Sequence, residues 1–373
     1  MIMRMLTIVL LLACSNLQAT ESNKTLEKKI DAIIANYVTK DTPGCSIGLM
    51  NNQELLFAKS YGMANLEQNT KLSSKSIHRL ASVSKQFTAF SVLLLADEGK
   101  INLNDDIRTH LPDLYDYGTK VTINSMLGHA SGMGDYRDLD KLLATPLKSV
   151  AGGKFRLGDE DYLTINEYYD VIKTLPLVQP PNQAQRYSNF AYFLLSMLVE
   201  KVSGETLREY SDRRIFKPLG MNKTFYADNL WEIVPNRASG YANMGEGKYI
   251  NRMTNIFAVG DGGLHTSIED MARWNAHFYQ PTLGKNPQQL MKFMNTPNTN
   301  LPNDEDADYF YANGQYTNQS SYEHSGGWLG TATFYTRRPA EKTAVAVFCN
   351  VGGFDSHVIG FEILDMAKEL LAE

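Results

Sequence analysis

The chain has 373 residues, 43% of them apolar and 21% charged, with a formal net charge of -5. That length suits about two domains or one two-lobed unit, and the composition excludes a disordered or fibrous chain. No basic block interleaved with aromatics is present, so nucleic acid is not an expected partner.

Residues 1–19 read as an export signal, with Arg4 as the positive charge, Leu6 to Ala13 as a short apolar core and Leu17-Gln18-Ala19 before the cut. That core is too short to cross a bilayer. Leu11-Leu12-Ala13-Cys14 resembles the lipobox of bacterial lipoproteins, so a lipid anchor at Cys14 competes with the preferred simple cleavage. Both readings put the body outside the cytoplasm, periplasmic or secreted.

The unit from residue 24 to 373 opens with a helical stripe at Leu26, Ile30, Ile33, Ile34 and Tyr37. "PGCSIGLMNNQELLFAKSYG" predicts a β-hairpin turning at Asn51-Asn52-Gln53. From 82 to 220 the pattern is mainly helical, punctuated at Glu98-Gly99, Leu111-Pro112, Pro180-Pro181 and Ser203-Gly204. "AVGDGGLHTSIEDMARWNAHFY" then predicts a glycine-rich turn, a cap at Ser267 and an amphipathic helix. The acidic cluster Asp304, Glu305, Asp306 and Asp308 lacks calcium-loop spacing and reads as a solvated loop.

Strand patterns return in "HSGGWLGTATFYTRR" and "TAVAVFCNV", followed by a helix over 357–371. Strands at both ends with helices between imply an α/β protein of the α+β type. A sheet lobe (24–81 and 221–373) is closed by both termini, and a helical lobe (82–220) is inserted.

Only Cys14, Cys45 and Cys349 are present, so disulfides do not define the fold. The seven histidines form no His-x-His or His-x-x-x-His pair and no Cys-x-x-Cys occurs, which disfavours a zinc enzyme. No metal or cofactor is expected.

Three short stretches can carry chemistry. Ser82 and Lys85 stand at i and i+3 of a helix and share a face, while the apolar run Phe87 to Leu95 buries that helix. Burial lowers a lysine pKa from about 10.4, which is what a proton acceptor for a serine needs. The helix N-terminus also offers N–H groups to an oxyanion. Alone, the pair reads as well as a helix cap beside a surface lysine.

Tyr187-Ser188-Asn189 precedes the next strong helix. Tyr187 can relay protons, and Asn189 can bind a substrate amide or orient Lys85, or the segment is simply a cap and its hydrophobic staple. His324-Ser325-Gly326-Gly327 opens a strand. Paired glycines there mark a close backbone approach to a ligand, with the Gly327 N–H as a second oxyanion donor, or a tight bend beside a buried Trp328.

In this order the three motifs resemble the serine beta-lactamase and penicillin-binding-protein superfamily, specifically its class C-like branch. The resemblance covers residue 25 to the C-terminus. It includes "RLASVSKQFTAF", "LADEGKINLNDDI", "MLGHASGM", "YSNFAYFLLSMLVEKVSGE", "FKPLGMNKT", "GDGGLHTSIEDMARW" and "HSGGWLG". It implies an antiparallel sheet flanked by helices, a helical lobe, a cleft between them and an acyl-enzyme on Ser82, with Lys85 and Tyr187 as bases. Asn189, His324, Ser325, Gly326 and Gly327 become the substrate-binding set.

His324 stands where class C beta-lactamases usually present a lysine. It lacks a permanent charge to hold a carboxylate, which favours an esterase or D-amino-acid peptidase over a beta-lactamase or D,D-carboxypeptidase. A muropeptide-binding sensor without turnover is the non-catalytic alternative. The expected partner is a small molecule or peptide; oligomeric state is left open. The resemblance also makes Cys45 and Cys349 neighbours on antiparallel strands, and two free thiols are preferred over a disulfide, which needs a Cα separation within about 7 Å.

Overall fold

The computed structural model describes residues 24–143, 164–229, 231–254, 259–303 and 306–371. The leader reading of residues 1–19, Cys14, and Asp304 and Glu305 lie outside these residues.

One antiparallel sheet organises the molecule. In chain order its strands are β1 (Cys45–Asn51), β2 (Glu54–Tyr61), β3 (Phe310–Tyr311), β4 (Tyr316–Thr317), β5 (Tyr322–Trp328), β6 (Thr331–Arg338) and β7 (Thr343–Cys349). Their spatial order is β3-β4-β5-β6-β7-β1-β2. Strands from the two ends of the sequence thus meet at the β1–β7 pair, in register from Cys45 opposite Cys349 to Asn51 opposite Thr343. The Asn51-Asn52-Gln53 turn connects β1 to β2, with Asn52 at φ 56°, a left-handed position that asparagine tolerates well.

Alternation along β7 explains the layers. Val345, Val347 and Cys349 face a cluster with Ile30 and Ile34 of the first helix, α1 (24–35), and Ile359 and Ile363 of the last. Ala344, Ala346 and Phe348 face the other cluster, which includes the helix over Ile268–His277. A period of two sends successive side chains to opposite faces. Ser267 caps that helix through Asp270 N, as its sequence predicts.

On this second face lies α2 (Lys85–Asp97), with every side chain from Lys85 to Leu95 buried. Full burial of each large apolar residue here, such as Phe87, Phe90 and Leu94, contributes about 1.5–3 kcal/mol. Packed across it is α3 (Asn189–Ser203), started by Ser188, whose hydroxyl accepts from Ala191 N, and ended by Gly204 at φ 77°. These caps define where the segment before α3 leaves the helix, and so where Tyr187 sits.

Cys45 and Cys349 form a disulfide with a Cα separation of 4.0 Å. This corrects the preference for free thiols. Directly opposed positions on neighbouring antiparallel strands place both Cβ atoms on one face, so the register itself brings the sulfurs together.

Candidate active site

Ser82 lies in a 3-10 turn, Ala81–Ser84, that leads directly into α2. Ala81 adopts φ 47°, the left-handed region that costs a residue with a Cβ about 1–2 kcal/mol. Strain of this kind persists where surrounding structure fixes it and is concentrated at functional positions. The Ser82 hydroxyl does not cap the helix. It instead accepts hydrogen bonds from Lys85 Nζ at 3.1 Å and from the Tyr187 hydroxyl at 2.7 Å.

Lys85 is fully buried and donates from Nζ to three acceptors: Ser82 Oγ, Asn189 Oδ1 at 2.8 Å and the Asp261 carbonyl at 2.6 Å. Desolvation pulls its pKa down to about 8, against an opposing attraction from Asp261 and Asp135. Burial pushes the Tyr187 phenol well above its ordinary value, so it rests as a neutral hydrogen-bond donor. Asn189 is held from its other side, with Nδ2 donating to Asp135 Oδ1 at 2.8 Å. Of the two readings of Asn189, the hydrogen bonds match the orientation of Lys85.

The glycine strand closes the opposite side. A Cβ at Gly326 would lie 2.3 Å from the Leu80 carbonyl oxygen, so β5 approaches the turn before Ser82 as only glycine allows. Gly327 is exposed and, with Ser82, lines a space of about 30 Å³ above the hydroxyl. Ser325 is exposed and does not line that space. Trp328, which the tight-bend alternative takes as buried, is half-buried and forms part of its wall.

His324 is buried, and both ring nitrogens are engaged within the protein. Nδ1 lies 2.5 Å from the Ser325 carbonyl, which can only accept, so the proton resides there; Nε2 then accepts from the Tyr311 hydroxyl at 3.0 Å. Burial, with Lys85 nearby, pushes its pKa down to about 3. The imidazole is therefore neutral and has no ring nitrogen left for a substrate carboxylate.

The site contains groups the motifs did not single out. The Asp261 carbonyl in "GDGG", read as structural, is an acceptor for Lys85. Asp135 orients Asn189, and Tyr311 holds His324. The aromatic character of the segment from 300 to 322 was a usable signal for Tyr311. A backbone carbonyl leaves no signal in the side-chain pattern.

A family model described as Beta-lactamase matches residues 30–364. The chain belongs to the beta-lactamase family. Protein flp of Staphylococcus aureus (strain MRSA252) is 26% identical over 339 residues, 87% of this chain and 63% of that protein. Penicillin-binding protein 4* of Bacillus subtilis (strain 168) is 29% identical over 309 residues, 76% of this chain and 63% of that protein. The chain thus spans 63% of the length of each of these curated relatives.

The octameric penicillin-binding protein homologue from Pyrococcus abyssi shares the fold with a TM-score of 0.77 at 24% identity, over 92% of this chain and 77% of that one. The family model and this neighbour agree on the fold of the beta-lactamases and penicillin-binding proteins.

Proposed function

We propose that the protein hydrolyses an ester or amide through an acyl-enzyme on Ser82. The observation that carries this is the convergence of Lys85 Nζ and the Tyr187 hydroxyl on Ser82 Oγ in a site where Lys85 is buried and its pKa lies near 8.

The neutral fraction of Lys85 accepts the Ser82 proton as Oγ attacks the carbonyl carbon. The oxyanion forms against the N–H groups of Ser82 and Gly327. The tetrahedral intermediate collapses, breaking the bond to the leaving group, which takes its proton from Lys85 through Tyr187. Water then attacks the acyl ester, giving one proton back through the same pair, and the acid departs from a regenerated Ser82.

The neutral, fully engaged His324 supports an esterase or D-amino-acid peptidase reading over beta-lactam hydrolysis, since it supplies no cation at the strand. A fluorophosphonate probe tests the assignment: labelling of Ser82 that vanishes in Ser82→Ala is expected, and undiminished labelling of the variant would sink it. Nitrocefin turnover at a rate exceeding that of simple esters and D-amino-acid amides would overturn the substrate preference.

We also infer that the protein works outside the cytoplasm. The leader-like start of the sequence and the Cys45–Cys349 disulfide support this, because such bonds persist in oxidising compartments. Cell fractionation checks it, with recovery of the disulfide-bonded chain in the periplasmic or secreted fraction as the expected result.

A further inference from the structure

A second cavity, about 150 Å³, lies beside the space over Ser82, and Arg79 and Trp328 line both. Three arginines, Arg79, Arg237 and Arg252, line the second cavity, and among the described residues no carboxylate does. Arg79 Nε is buried without a hydrogen-bond partner, and the only carboxylate among the described residues that attracts its charge, Asp261, lines the space over Ser82 and not this cavity. Glu232, which feels the charge of Arg237, is itself held by two hydrogen bonds from Arg208. The two histidines on the wall, His78 and His265, are kept neutral by burial, with pKa values pulled down to about 4 and about 3.

A buried donor left unpaired costs free energy, and a guanidinium presents a planar fork matched to an oxyanion. The neutral histidines add no charge, and His265 spends its single proton on the Gly263 carbonyl, 3.1 Å from Nδ1, so the positive charge on the wall is that of the arginines. Trp328 is fixed between the two spaces, its Nε1 donating to Thr254 Oγ1 at 3.0 Å and its ring centroid 5.3 Å from that of Tyr136.

The position relative to the chemistry gives the cavity a side. A leaving group must face Lys85 and Tyr187, which supply its proton, and neither of these lines the arginine cavity. The acyl part of the substrate therefore faces Arg79 and Trp328.

We propose that the arginine cavity is an anion subsite for the acyl half of the substrate, so that the preferred substrates carry a carboxylate or a phosphate on the acyl group. This rests on the hydrolase reading of Ser82. The subsite is distinct from the carboxylate anchor absent at His324, because it faces the acyl half of the substrate.

The test compares the full protein on mono-p-nitrophenyl glutarate and on p-nitrophenyl valerate, an uncharged ester of equal acyl length. The expected kcat/KM favours the acidic ester by roughly tenfold or more, the worth of about one charge-assisted hydrogen bond. Arg237→Ala with Arg252→Ala should erase that advantage while turnover of the uncharged ester stays the same, which also reports that the variant is folded. An advantage that is absent in the wild type, or unchanged in the double variant, overturns the subsite alone. Loss of both activities in Ser82→Ala supports the parent reading. Valerate turnover undiminished in Ser82→Ala, or no turnover of either ester by the wild type, overturns that reading and the subsite with it. Competition against valerate turnover separates the two anions: stronger inhibition by glutarate than by inorganic phosphate assigns a carboxylate site, the reverse a phosphate site, and no inhibition by either overturns the subsite.

Discussion

The space above Ser82 and the arginine cavity share a wall and are built on opposite principles. Around Ser82, Lys85 Nζ has three acceptors and Asn189 bonds on both sides, leaving about 30 Å³ of space. Next door, three arginines surround about 150 Å³, and Arg79 Nε has no partner. The hydrogen bonds on Lys85 and Asn189 fix the geometry around the nucleophile, whereas the proposed anion subsite is lined by arginines and no carboxylate among the described residues. On the proposed reading, the contrast separates bond cleavage at Ser82 from selection at Arg237 and Arg252, which line the second space alone, with Arg79 and Trp328 as the shared wall.

That contrast can be broken by substitution. The largest expected effect is in the first pocket, where Lys85→Met should reduce Ser82-dependent ester turnover by roughly a thousandfold or more, since the nucleophile loses its base. A steady-state assay with thermal melting as the folding control checks it. Residual turnover within about tenfold of wild type would remove Lys85 from the mechanism.

The pH profile comes next. Protonated Lys85 cannot accept the serine proton, so kcat/KM should fall about tenfold per pH unit below a midpoint near 8 and level off above it. A flat profile between pH 6 and 9 would contradict the desolvated lysine.

The disulfide lies behind the second cavity, which Cys349 lines, and it closes a loop of 304 residues. Replacing both cysteines by alanine should lower stability by roughly 3–5 kcal/mol in denaturant unfolding. Valerate turnover at saturating stability should remain within about twofold, because neither sulfur touches the Ser82 network.

The smallest effects separate the two pockets most finely. Ala81→Gly should stabilise the fold by about 1 kcal/mol by relieving the left-handed conformation before Ser82. Arg237→Ala should change stability by less than about 0.5 kcal/mol, because no partner is left unpaired. A large loss for Arg237→Ala would mean that the arginine is structural and that the cavity is not waiting for a ligand.

Much of this was legible in the chain. The apolar run after Lys85 announces a buried helix and therefore a desolvated amine, and Ser267 and Gly204 mark helix ends by the backbone groups they satisfy. The paired glycines of Gly326-Gly327 signal a close approach, since a Cβ at Gly326 collides with the Leu80 carbonyl oxygen. Less legible was the state of Cys45 and Cys349, which depended on strand register and not on spacing.

What the sequence by itself determined is local: which segments are helices or strands, which face each buries, and which residue types stand at the head of the buried helix. Periodicity and capping operate over a few residues, so the chain carries them in plain order. Only the tertiary structure decided which distant groups meet. Asp261 offers a backbone carbonyl to Lys85, Tyr311 occupies His324, and Arg79, Arg237 and Arg252 gather around one cavity from positions up to 173 residues apart. Charge and hydrogen-bonding capacity become chemistry only through proximity in space, and proximity across such separations is set by how the sheet and helices pack.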